Sequence, residues 1–100
     1  RRWRMHSNSG EEGWWQFLKL CLQHKTAEQL DETLDLFLTL DEKESIATRY
    51  AIVHELLLAQ KPQRDIASDL GVSIAKITRG SNALKRTSEK LKRFLSNRMN

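Results

Sequence analysis

Apolar residues recur along this chain at helical rather than strand spacing. From Glu11 onward, Trp14, Phe17, Leu18, Cys21 and Leu22 fall at i, i+3, i+4, i+7 and i+8, the stripe of an amphipathic helix. Glu11 and Glu12 belong near its N-terminus, where the macrodipole favours acids, and Trp15 lies off the stripe and needs a second surface to cover it. A second helix is predicted over Ala27–Phe37, with Leu30, Leu34, Phe37 and Leu38 as its spine. Thr39-x-x-Glu42 reads as a capping box for a third helix, in which Ile46, Tyr50, Val53 and Leu57 recur at i, i+4, i+7 and i+11. Lys61-Pro62 interrupts that helix. A short fourth helix, Pro62–Leu70, turns Ile66, Ala67 and Leu70 inward. A corner follows at Gly71 and Val72, with Ser73 placed to cap a fifth helix over Ile74–Arg86. That helix is expected to present Ile74, Ile77 and Leu84 to the core, and a last helix over Ser88–Arg98 carries Leu91, Phe94 and Leu95 on one side. No strand alternation competes, so the fold class is all-α.

Apolar residues outnumber what so small a body can cover. On the third helix Ile52, Leu56 and Leu58 widen the apolar face beyond the need of one neighbouring helix, and a subunit interface is the economical account. Cys21, the single cysteine, sits between Leu20 and Leu22 and is expected to be a buried structural thiol; no intrachain disulfide can form. No apolar stretch is long enough to span a bilayer and the basic N-terminus lacks a following apolar segment, so a cytoplasmic protein is expected.

Charge divides the chain. Residues 1–10 hold three Arg and no acid, residues 11–60 hold four basic and ten acidic groups, and residues 61–100 hold ten basic and three acidic groups. A basic C-terminal half behind an acidic one fits a polyanion met by one face. The run QRDIASDLGVSIAKITRGSNALK, Gln63 to Lys85, gives that face a form: helix, corner, helix, with Ala67 where the backbones approach and Val72 and Ile77 as apolar anchors. Ser73, Ala75, Lys76, Thr78 and Arg79 then cluster on the leading part of the second helix, which suits a major groove of about 12 Å. Lys76 and Arg79 are the donors expected to meet guanine acceptors or phosphate. Gln63 and Arg64 are placed to meet the backbone or a flanking base, and Lys85, Lys90 and Arg93 are positioning charges. A helix hairpin with a solvated charged face would also contain two helices and a glycine; the joint presence of Ala67, Gly71, Val72 and Ile77 favours the reading head. One head makes few contacts, and a two-fold dimer with heads about 34 Å apart supplies more.

His6, His24 and His54 are scattered, and no phosphate loop, dinucleotide fingerprint or zinc spacing occurs, which argues against an enzyme, a prosthetic group or a metal. The other reading is a helical protein-interaction module whose basic tail meets an acidic partner, or a DNA binder without ligand control.

The segment ITRGSNALK, Ile77 to Lys85, behind a QR-x-IA-x-x-x-G head and with Thr48-Arg49 upstream, resembles the tryptophan repressor family over about Glu11 to Arg98. The resemblance implies a six-helix subunit with a helix-turn-helix, an intertwined homodimer, double-stranded operator DNA as partner and L-tryptophan as corepressor. It implies that Arg49 and Arg79 enclose the indole, with Arg49 also meeting the carboxylate. Backbone carbonyls near Leu36 and Leu38 of the partner subunit receive the ammonium group, Thr39 lies nearby, and Gly80 leaves room for the ring. It implies that Arg64 reaches a guanine, with Gln63, Ile74, Ala75, Lys76, Thr78 and Lys85 along bases, water bridges or phosphates. The chain departs from the family's pattern at Leu40 for Pro, Ala67 for Lys, Ser73 for Gly, Lys76 for Thr and Ala83 for Ser. The expected organisation is a flexible basic arm over 1–10, a dimerisation core over 11–60, the reading head over 61–87 and a helix completing the core over 88–100.

Overall fold

A computed structural model describes residues 7–99. Among them are six helices and no strand: α1 Ser7–Leu22, α2 Ala27–Phe37, α3 Leu40–Leu58, α4 Gln63–Leu70, α5 Ile74–Lys85 and α6 Glu89–Met99. Of the expected arm, residues 1–6 lie outside the described residues and Ser7 to Gly10 are helical. Because α1 starts there, Glu11 and Glu12 sit a full turn inside it, beyond the reach of the terminal dipole. No described helix is long and apolar enough to cross a membrane.

The chain divides into two compact units between Leu40 and Asp41. In the first, Phe17 joins α1 to α2: it stacks on Trp14 at 5.7 Å and meets the Phe37 ring edge-on at 5.2 Å. Thr26 caps α2 by accepting from the Gln29 N–H at 3.1 Å, and the Gln29 side chain accepts in return from the Lys25 N–H. His24 ties the helices at their junction, its Nδ1–H donating to the Leu20 carbonyl at 3.1 Å and its Nε2 meeting the Thr33 hydroxyl. The predicted α1 stripe is only partly covered. Phe17, Leu18 and Cys21 are half-buried, whereas Trp14 and Leu22 are exposed, Leu22 to 84%. One neighbouring helix cannot cover a stripe that wraps this far round α1.

In the second unit, Ile52 of α3, Ile66 and Ala67 of α4 and Ile77 of α5 form the buried core, with Leu56, Leu70 and Val72 packed against it. The turn between α4 and α5 follows from its residues. Gly71 closes α4 in the left-handed region at φ 66°, its N–H reaching the Ser68 carbonyl at 3.2 Å while the Val72 N–H reaches the Ala67 carbonyl at 3.0 Å. Val72 then packs against the buried cluster, and Ser73 starts α5 by accepting from the Lys76 N–H at 3.3 Å. Ile74 corrects its expectation: it is 54% exposed, because the turn brings Ile77 and Gly80, not the first residue of α5, against α3. On α3 the buried residue is Ile52, while Ile46 and Tyr50 of the predicted stripe stay exposed.

Two further details fix α3. It ends at Ala59, which takes φ 54°, a left-handed conformation that costs a non-glycine residue roughly 1–2 kcal/mol. Beyond it Lys61 pairs with Asp69 at 2.6 Å and Glu55 at 3.5 Å, bracing the start of the α3–α4 link against α4. The hydrogen bond that Lys61 donates to the Asp69 carboxylate holds its ammonium above the ordinary pKa, so this cation is already partnered.

Two pairs of substitutions test this packing by chemical denaturation. Ala59→Gly raises stability by about 1 kcal/mol, whereas Gly71→Ala, where a Cβ would meet nothing within 4 Å, lowers it by about 1–2 kcal/mol through φ alone. A Cβ on Gly80 would stand 2.9 Å from Ile52 Cγ2, a methyl fixed to a branched Cβ, so Gly80→Ala lowers stability despite a helix-propensity gain of about 1 kcal/mol. Gly10→Ala, in open space on α1, raises it.

Candidate ligand pocket and nucleic-acid interface

Helix periodicity places Ser45, Thr48, Arg49 and Ile52 in one row along α3, and Lys76 and Arg79 one turn apart on α5. These six residues line a pocket of about 200 Å³. It lies toward the N-terminal side of the Ile52–Gly80 approach on both helices, so the contact that removes Gly80's side chain also bounds the pocket. No acidic residue lines it, and among the described residues no carboxylate pairs with Arg49, Lys76 or Arg79. Two hydroxyls, one apolar side chain and three uncompensated cations make a site for a partly apolar anion.

Of the residues expected at a ligand site, Arg49 and Arg79 are therefore brought together. Gly80 is buried against Ile52 and does not line the pocket. Leu36, Leu38 and Thr39 belong to the first unit, at and just beyond the end of α2; Leu36 is 81% exposed. Ser45, Thr48 and Lys76 line the pocket without having been expected there. Their signal was available in the sequence: once Ile77, Gly80 and Leu84 mark the inward side of α5, Lys76 falls beside it, and Ser45 and Thr48 share Arg49's row.

Every residue expected to meet DNA is exposed: Gln63 and Arg64 on the first turn of α4, then Ser73, Ile74, Ala75, Lys76, Thr78, Arg79 and Lys85. At about 100° per residue, the outward side of α5 is centred near Ala75, Thr78 and Asn82, with Ile74 and Lys85 on one flank and Arg79 on the other. Ser73 serves as the cap of α5. On α6, Lys90 and Arg93 are exposed, Lys92 pairs with Glu89 at 3.1 Å and Arg98 lies over the Phe94 ring at 4.2 Å. A second, mostly apolar groove of about 480 Å³ is lined by Ile46, Arg49, Tyr50, Val53, Leu95 and Met99 with Ser45.

Known proteins place this arrangement. Residues 12–99 match the family described as Trp repressor protein. A Trp operon repressor homolog of Chlamydia caviae is 53% identical over 93 residues, covering 93% of this chain and 92% of that protein. One from Chlamydia trachomatis serovar L2 is 46% identical over 88% of this chain and 94% of its own length, and one from Vibrio cholerae is 47% identical over 83% and 81%. On a match spanning nearly all the described residues, and on these identities, the chain belongs to the Trp repressor family.

Proposed function

We propose that this chain, by family a tryptophan-responsive transcriptional repressor, works in the cytoplasm as a homodimer that binds a two-fold operator in double-stranded DNA when L-tryptophan fills the pocket of Arg49 and Arg79. The observation that carries the reading is the convergence of those two arginines, from α3 and α5, on one pocket free of acidic residues. Guanidinium planes stack on aromatic faces and pair in bidentate fashion with carboxylate, so two of them suit an indole bearing a carboxylate. The ligand's ammonium is received by backbone carbonyls near Leu36 and Leu38 of the partner subunit, with Thr39 nearby. Gly80 acts by letting α5 approach Ile52 and so sets the pocket's floor.

Residues 61–87 form the reading head. The outward side of α5 enters the groove with Ala75 and Thr78 toward base edges, Ile74 and Arg79 flanking them, and Gln63, Arg64 and Lys85 toward bases or phosphates. Residues 11–60 and 88–100 supply the dimer core. Support comes from the apolar side chains a single chain leaves exposed, among them Trp14, Trp15, Leu22, Leu36, Ile46, Tyr50 and Phe94. Surface of this extent is covered in stable proteins, and a second copy covers it symmetrically.

Operator titration with and without L-tryptophan tests the reading. Native affinity rises with ligand and falls steeply with salt, as six to ten neutralised phosphates require, roughly three decades or more between 50 and 200 mM. Arg79→Met abolishes the ligand-dependent rise. Operator affinity unchanged at saturating L-tryptophan means a DNA binder not controlled by this amino acid, and no duplex binding at all leaves the protein-interaction reading. Sedimentation should find a dimer, and Trp14→Asp, placing a charge on the exposed apolar side of α1, should shift it toward monomer.

A further inference from the structure

We propose that Lys76 is a third ligand-binding cation of the pocket and the residue that makes it selective for ligands carrying a carboxylate; the inference rests on the reading above that the pocket takes an indole ligand. Lys76 lines the pocket with Arg49 and Arg79. Its position on α5 points the same way. Counting about 100° per residue, it lies about 40° from the buried Gly80 and about 120° from Asn82 on the outward side. It therefore stands on the flank toward α3, whereas Arg79, about 100° from Gly80 and about 60° from Asn82, lies nearer the outside while still lining the pocket. Lys76 has no acidic partner among the described residues, in contrast to Lys61 and Lys92, which have one each within 3.1 Å.

The chemistry divides accordingly. If the two guanidinium planes lie against the ring, only edge donors remain for the carboxylate, and an ammonium offers three donors on a flexible stem that adjusts to either oxygen. Lys76 also stands in the first turn of α5, where the positive end of the helix dipole adds to its attraction for an anion. Ser45 and Thr48, across the pocket on α3, supply hydroxyls to the same end of the ligand. An indole that keeps its carboxylate uses this cation; an indole amine without one leaves it unpaired and sets a second positive charge beside it.

The test is calorimetric titration of the full chain without DNA, so that any role of Lys76 at the operator is silent. Native protein, Lys76→Met and Lys76→Arg are each titrated with L-tryptophan, indole-3-propionate and tryptamine. Lys76→Met is expected to weaken binding of the two carboxylate ligands about tenfold, the loss of one charge-assisted hydrogen bond, while tryptamine changes less than twofold or binds better. Lys76→Arg, which keeps the charge, retains most of the native preference. If native protein binds L-tryptophan and Lys76→Met binds it within twofold, or if all three ligands weaken together, the assignment of Lys76 is overturned and the tryptophan reading stands. If native protein binds none of the three, both are overturned.

Discussion

The approach of α5 to α3 at Gly80 and Ile52 is the constraint on which the second unit depends. A helix carrying a side chain at position 80 would have to back away or displace Ile52, whose methyl stands 2.9 Å from where a Cβ would lie. Ile52 is the buried residue of α3, and it shares its cluster with Ile66, Ala67 and Ile77. The one contact thus joins three helices and sets the separation at which Ser45, Thr48 and Arg49 face Lys76 and Arg79 across a pocket. Helix propensity opposes the choice, since glycine inside a helix costs about 1 kcal/mol against alanine. Close packing against a β-branched side chain outweighs it.

The turn before α5 solves a related problem. Each end of a short helix leaves backbone groups to satisfy, and α4 and α5 are only eight and twelve residues long. Gly71 and Val72 satisfy carbonyls at the end of α4, Ser73 satisfies an N–H at the start of α5, and Val72 packs against the buried cluster. Such helices are marginal alone and draw their stability from the isoleucines they bury. Rigidity at this corner matters for recognition, because the outward side of α5 can read a groove only if its angle to the rest of the unit is fixed.

How much of this the sequence disclosed depended on how local each signal was. The turn was legible because Gly71, Val72 and Ser73 act within a few residues of themselves, and the six helices were placed within a few residues for the same reason. The register of α3 was not. Ile46, Ile52, Val53, Leu56, Leu57 and Leu58 surround that helix with apolar choices, and only the position of α5 decides that Ile52 goes inside. Ile74 was misplaced on the same account, its side depending on how the corner turns. For the site, the resemblance supplied the paired arginines, which spacing alone would have left as solvated helix residues. Lys76, a lysine early in a reading helix, suits a DNA contact, and that reading stands beside its place in the pocket. Its nearness to the inward flank required knowing where Gly80 packs.

Placement of the cations also bears on how a corepressor can strengthen DNA binding. A ligand carboxylate that neutralised cations needed for phosphate would weaken the operator complex, each such pair amounting to about 1 kcal/mol near water's dielectric. A zwitterionic amino acid brings no net charge to offset that loss, so its benefit has to come from the arrangement of the heads it favours. The loss is smallest when the carboxylate takes a cation that faces away from the groove. Under the role proposed above, Lys76, on the α3 flank of its helix, comes nearer to that condition than Arg79, which could then stack on the ring while its charge still reaches outward. Arg64 and Lys85 are exposed and lie outside the pocket, so a ligand there leaves their charge untouched. A pocket held by Arg79 and Arg49 alone would set ligand and operator in competition for the same guanidinium, a conflict that the role proposed for Lys76 would lessen.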